Sequence, residues 1–109
     1  MKIKLFNALA DPTRLLIVEK LRKGPLMVGE VAEQVNIRQP QASKHLKILH
    51  EAGLVEVQAE ANRRYYRLRA EGFQSLESWL SDYRQLWEDR FDNLDEYLKK
   101  LQAEGSKSD

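Results

Sequence analysis

Apolar residues recur along the chain with two periods. Val28, Val31, Ala32 and Val35 fall at i, i+3, i+4 and i+7, the spacing of one helix face. Met27 holds the cap position of this helix and caps poorly, while Glu30 suits its dipole. Asn36, best able after glycine to take a left-handed turn, interrupts the helix, and Ile37 returns to the core. Pro40 opens the next helix, predicted over Gln39 to Ala52. Ala42, Leu46 and Leu49 form its buried stripe, and Gly53 ends it. Upstream, "ADPTRLLIVEKLRKGP" reads as a short complete helix, capped by Asp11, opened by Pro12 and stopped at Gly24-Pro25. Leu15, Leu16, Ile17 and Val18 make it apolar nearly all round, which predicts a core helix. A preceding helix around Ile3 to Leu9 would bring Leu5, Phe6 and Leu9 to the same core.

After Gly53 the period changes to two. "LVEVQA" puts Val55, Val57 and Ala59 on one face, and "RRYYRLR" puts Tyr66 and Leu68 on its apolar side. A connection through Glu60, Ala61 and Asn62 makes these a β-hairpin. The helical period then returns without a breaker from Phe73 to Gly105. Phe73, Leu76, Leu80, Tyr83, Trp87, Phe91, Leu94, Leu98 and Leu101 step by threes and fours, with one extra four at Trp87 to Phe91. That is a coiled-coil-like seam with a single stutter. Some 30 residues of helix reach roughly 45 Å. The residues before them would form a globule under about 30 Å across. One subunit cannot cover such a stripe, so a second copy is expected to. The organisation predicted is one globular domain over 1–70, a long dimerisation helix over 71–103 and a frayed tail over 104–109.

Composition narrows the class. The chain has 109 residues, 42% hydrophobic and 32% charged, the profile of an ordinary globular domain. No apolar run approaches the roughly 20 residues that span a bilayer, and the start lacks a signal-peptide pattern, so a cytoplasmic protein is expected. With no cysteine there is no disulfide or thiolate metal site. The net charge of +1 conceals an asymmetry. Residues 38–69 hold seven Lys and Arg against three Glu, whereas 73–102 hold seven Asp and Glu against four Lys and Arg. The basic half suits a polyanion.

The helices at Val28–Val35 and Gln39–Ala52, joined by a tight turn, make a helix-turn-helix, whose second member enters the DNA major groove. Its exposed residues suit that place. Gln41 can hold an adenine edge by two hydrogen bonds, Ser43 can meet base or phosphate, and Lys44 can reach guanine or backbone. Arg38 and Gln39 sit at the helix start, where free N–H groups favour a phosphate. Lys47 lies a turn further, toward backbone. His45 could be a polar rim residue of the buried stripe or a DNA contact, and contact is the preferred reading. Arg63, Tyr65, Arg67 and Arg69 share one strand face and Arg64 lies near the turn. A basic ribbon tip over 59–64 fits a wing that tracks phosphates or the minor groove. Arg63, Arg64 and Tyr65 are its candidate contacts.

"LADPTRLLIVEKL", "VGEVAEQVNIRQPQASKHLKILHEAGLV" and "RRYYRL" together resemble the ArsR family of bacterial winged helix-turn-helix regulators, over about residues 5–69. Gln39-Pro40, Ser43, His45-Leu46, Leu49 and Gly53-Leu54-Val55 are the most specific part. The last helix looks like that of a subgroup with an extended aromatic carboxy-terminal helix. The resemblance implies a mainly α fold with a two-stranded wing, and a homodimer joined through terminal helices that represses promoters. Leu5, Phe6, Leu76, Leu80, Tyr83, Trp87, Phe91, Leu94 and Leu98 are the dimerisation candidates. Several positions depart from the family pattern. Met27, Val28 and Gly29 stand where its metal sensors carry Cys-Val-Cys, and no His follows His50 to serve a site on the last helix. No metal and no cofactor is expected. Ala61-Asn62 replaces the usual wing glycine, with Asn62 expected to be left-handed. Arg38 stands where Ser or Thr commonly caps.

The readings in view are a homodimeric repressor on a pseudo-palindromic operator, an effector-gated repressor, and a winged-helix adaptor for proteins. Trp79, Tyr83, Trp87, Phe91 and Tyr97 could line a pocket for an unknown effector, though such stripes more often pack. No nucleophile–base pair, phosphate loop or metal box suggests an enzyme, and no catalytic residue is proposed.

Overall fold

The computed structural model describes residues 2–107, with side chains over 3–88 and 96–103. The chain divides into two compact units, the first ending at Leu76 and the second beginning at Glu77.

The first unit contains α1 (Lys2–Leu9), α2 (Pro12–Leu21), α3 (Val28–Val35), α4 (Gln39–Glu51), β1 (Val55–Glu60), β2 (Arg63–Leu68) and the beginning of α5 (Ala70–Ser81). Its core gathers one face of each element, with Ile17, Val31, Ala42, Leu46, Leu49 and Leu54 fully enclosed. α2 is less of a core helix than its composition suggested. It buries Ile17, Val18 and Leu21 and leaves Leu15 and Leu16 exposed, because its packing partners leave part of its surface uncovered. Similarly, α1 buries Leu5 (5% exposed) and Ala8 while Phe6 stays 38% exposed.

Each junction has a physical cause. Asp11 caps α2, its Oδ2 accepting the Arg14 N–H at 2.9 Å, with Pro12 in the first turn. Met27 gives α3 no side-chain cap; instead Glu30 Oε1 accepts the Met27 N–H at 2.8 Å. Asn36 ends α3 at φ 58°, ψ 52°. The Asn36 N–H then reaches Glu33 O (3.3 Å) and the Ile37 N–H reaches Ala32 O (3.0 Å). α4 ends in the same way. Gly53 (φ 79°) donates to His50 O and Leu54 to Leu49 O, both at 3.0 Å. This paired closure satisfies carbonyls that a helix end would otherwise orphan.

β1 and β2 pair antiparallel from Val55↔Leu68 to Glu60↔Arg63, leaving a two-residue turn. Its left-handed residue is Ala61 (φ 56°), not Asn62 as the sequence suggested. Only the first central residue has positive φ, as in a type II′ turn, and that place falls one residue before Asn62. Leu26 adds an isolated bridge to Tyr66, with N–H to O distances of 3.0 and 2.7 Å, tying the α2–α3 connection to the wing.

The continuous helix expected from Phe73 is interrupted. α5 ends at Ser81 and α6 runs from Arg84 to Lys107. Between them Asp82 donates to Trp79 O (3.3 Å) and Tyr83 to Leu80 O (3.0 Å), bonds of i→i−3 type. Ser81 Oγ also bonds Ser78 O at 2.7 Å. Short polar side chains that bond nearby backbone compete with helix continuation, so neither glycine nor proline is required. The break lies upstream of the stutter expected at Trp87 to Phe91. At the other end α6 passes through Gly105, so the tail expected to fray is helical to Lys107. A glycine inside a helix costs only about 1 kcal/mol relative to alanine.

Candidate nucleic-acid interface

α3 and α4 are the two helices of the helix-turn-helix, and the burial of α4 divides it cleanly. Ala42, Leu46 and Leu49 face the core, while Arg38, Gln39, Gln41, Ser43, Lys44 and Lys47 are all exposed. The amino-terminal half of α4 thus presents a short, polar, cationic surface. Among the described residues Lys44 and Lys47 make no ion pair, and neither do Arg63 and Arg64 on the wing. Four unneutralised cations on a helix and a ribbon are suited to phosphate, which has no side-chain competitor there.

Two candidate side chains are engaged inside the protein. Gln41 Oε1 accepts the Arg38 N–H at 3.1 Å, reaching back from the third helical position to the cap. This replaces the Ser or Thr cap that Arg38 cannot supply, and it occupies the oxygen that a bidentate adenine contact would use. His45 is half-buried, its side chain 23% exposed, with Nδ1 3.3 Å from Arg14 Nη1 and 4.0 Å from Asp11 Oδ2. Arg14 also donates from Nε to Ala8 O (2.6 Å) and from Nη2 to Asn7 O (3.2 Å). One guanidinium therefore fastens the end of α1 to α2 and to the recognition helix. The Arg14 N–H holds the Asp11 carboxyl below its ordinary value; desolvation opposes this, and the charges of Arg14 and His45 add to the lowering. The polar-rim reading of His45 is what this geometry displays. The signal for both engagements was present in the sequence, as an N3 glutamine and as a histidine flanking Leu46.

On the wing, Arg67 Nε bonds Glu56 Oε1 at 2.7 Å, directly across the ladder. Arg69 pairs with Glu71 at 3.5 Å. Arg67 and Arg69 therefore differ from Arg63 and Arg64, which are exposed at the tip. Tyr65 is half-buried opposite Gln58.

The dimerisation candidates also separate. Leu5 serves the core, and Leu76 packs against it, so these two act within the first unit. Phe6, Leu80, Tyr83, Trp87 and Leu98 present exposed apolar surface. Leu86, off the expected seam, is at 67% the most exposed large apolar residue among those of the second unit whose side chains are described. Phe91 and Leu94, like Asp89, Asp92 and Asp95, lie outside the residues whose side chains are described. Trp79 and Tyr83 meet ring to ring at 4.9 Å. A cavity of about 720 Å³ lies instead in the first unit, lined by Ile3, Leu5, Ala52, Arg69, Gly72 and Ser75 among others, and by none of the stripe aromatics. Among the described residues no helix is long and apolar enough to cross a membrane.

Comparison with known proteins agrees with this geometry. The family described as "Bacterial regulatory protein, arsR family" matches residues 11–57. The HTH-type transcriptional regulator Rv2034 of Mycobacterium tuberculosis is 41% identical over 80 residues, covering 73% of this chain and 75% of the relative. The transcriptional repressor SdpR of Bacillus subtilis is 33% identical over 79 residues, covering 72% and 88%. Among solved structures, the homodimeric winged helix-turn-helix DNA-binding domain Mb0332 (fragment 1–100) of Mycobacterium bovis superposes with a TM-score of 0.63 at 30% identity, covering 76% of this chain and 77% of that one. The chain belongs to the arsR family of bacterial winged helix-turn-helix transcriptional regulators.

Proposed function

We propose that the chain is a homodimeric repressor that binds a pseudo-palindromic operator through α4 and the wing tip and thereby blocks transcription. The observation that carries this reading is the exposed, unpaired set of Lys44, Lys47, Arg63 and Arg64 on the two elements that such a fold brings to DNA. Gln39 and Ser43 add hydrogen-bonding capacity at the start of α4, and Gln41 can add it by releasing Arg38. The repressor name of SdpR and the homodimeric state of Mb0332 support the direction of regulation and the stoichiometry. Exposed apolar residues on the second unit supply a surface for the second copy. The two readers of a dimer would then stand about 34 Å apart, one turn of duplex. The reading assigns the protein no catalytic turnover and requires no effector.

Selection from random duplexes, followed by affinity measurement across a salt series, tests it. Four phosphate-directed cations per protomer give a slope of log K against log salt near −7 for a dimer, at about −0.9 per contact. Lys44→Ala should reduce that slope by about two units in the dimer, one per copy, with little change in base preference. A chain that selects no sequence and shows no salt dependence is not a DNA-binding repressor, and retention on protein partners alone would favour the adaptor reading.

A further inference from the structure

The first turn of the recognition helix divides one amide between two tasks. Gln41, the third residue of α4, is exposed, and its Oε1 accepts the Arg38 N–H at 3.1 Å. A backbone N–H donates and cannot accept, so the amide atom that faces it is the oxygen. The NH2 group of the same amide is left over, and among the described residues it has no partner. The cap is not easily given up. Arg38 makes no side-chain cap bond of its own, so releasing Gln41 would leave the Arg38 N–H without a protein acceptor at the helix start.

We propose that Gln41 reads DNA as a donor only, through the amide nitrogen that the cap leaves over, and thereby selects guanine rather than adenine. The inference rests on the DNA-binding reading above and needs no particular placement of a second copy. The residues at the amino-terminal end of a recognition helix are the ones that meet base edges, so the capping residue and the reading residue coincide. A free glutamine amide matches adenine, because its oxygen takes the N6 amino group while its nitrogen donates to N7. With the oxygen committed to Arg38, that amino group meets a second donor instead. Guanine presents O6 and N7, two adjacent acceptors for the two amide hydrogens. Cytosine offers only a donor, and thymine a single acceptor beside a methyl group. The helix cap therefore decides which base the side chain can recognise.

Selection from random duplexes with the full chain and three variants tests this, in dilute salt so that phosphate contacts hold even an acidic variant on DNA. Gln41→Ala should lose preference at one position of the selected sequence, by about fivefold or more, which marks where Gln41 reads. The wild type should select guanine there. Gln41→Glu keeps an oxygen for the Arg38 N–H and replaces the donor with a second acceptor, so its preference should move to cytosine. Arg38→Pro removes the N–H itself at a residue whose φ of −73° suits proline. It frees the whole amide, and the preference should move to adenine, whatever uniform affinity is lost with the guanidinium. If Arg38→Pro does not fold, Gln41→Glu decides alone. Adenine at the marked position in the wild type, guanine retained in either Arg38→Pro or Gln41→Glu, or an unchanged sequence with Gln41→Ala overturns the proposal. A wild type that selects no sequence overturns the reading beneath it, and that result is visible before any variant is made.

Discussion

Residues up to Leu76 and residues from Glu77 onward use the same apolar side chains to opposite ends. In the first unit an enclosed core forms, in which Ile17, Val31, Leu46, Leu49 and Leu54 are lost to solvent entirely, although Leu15 and Leu16 stay exposed. In the second, Leu80, Tyr83, Leu86, Trp87, Tyr97, Leu98 and Leu101 are all exposed. Burial of such side chains stabilises by about 1.5–3 kcal/mol each, so the first unit collects this term from its own sequence. The second leaves it uncollected within the monomer. A helix pattern therefore announces that a face will be covered, without saying by which chain.

The largest effect should come from breaking that contrast on both sides at once. Leu46→Ala removes a side chain with 0% exposure from α4 and should destabilise the fold by about 3 kcal/mol, read by urea denaturation. Leu86→Glu, at 67% exposure, should leave monomer unfolding within about 0.5 kcal/mol of wild type. The same change should weaken self-association at least tenfold by sedimentation. Equal destabilisation of the monomer by both substitutions would mean that the second unit is buried within its own chain.

The sequence showed the first unit well because its signals are local and redundant. Period 3.6 marks α3 and α4, while Asn36 and Gly53 mark the left-handed closures that end them. The exposed cations of α4 and the wing could be named from the same patterns. Other features depend on geometry that no periodicity carries. The Leu26–Tyr66 bridge is a single residue of pairing. The break after Ser81 comes where the Ser81 hydroxyl bonds Ser78 O and the backbone turns to i→i−3 bonds, with no recognised breaker. Gly72 lies so close to Gly53, 19 positions away, that an added Cβ would stand 2.2 Å from Gly53 O, and nothing in its own neighbourhood reveals the contact. The spacing of Gln41 from Arg38 marks a helix-start residue, while its amide suits a base edge equally well, and spacing alone does not decide between the two.

A smaller effect sharpens the comparison within the first unit, between its enclosed core and its exposed wing tip. Ala61 holds φ 56° in the hairpin turn, where a Cβ crowds the backbone. Ala61→Gly should relieve that strain and stabilise the fold by about 0.5–1 kcal/mol after the entropy that glycine loses on folding. A rise in Tm with unchanged self-association is the expected result. A fall in Tm would show that the turn tolerates alanine without strain.

The smallest effect concerns the charge that begins α2. Asp11 holds its carboxyl below the ordinary range in the folded chain, first because the Arg14 N–H donates to it. The unfolded chain therefore protonates this group earlier on acidification, near pH 3.9. The stabilisation it supplies is complete above that value and is lost as pH falls through the lower folded one. Asp11→Asn keeps an acceptor for the cap but carries no charge for Arg14 or the helix dipole. Wild type should consequently melt slightly higher than the variant at pH 7, with the two curves converging as the pH falls below the unfolded value toward the lower folded one. The second unit contributes nothing to this difference, since Asp11, Arg14 and His45 all belong to the first. A gap in Tm that stays constant from pH 7 to pH 3 would show that the carboxylate charge, as distinct from its hydrogen bond, has no part in holding α2.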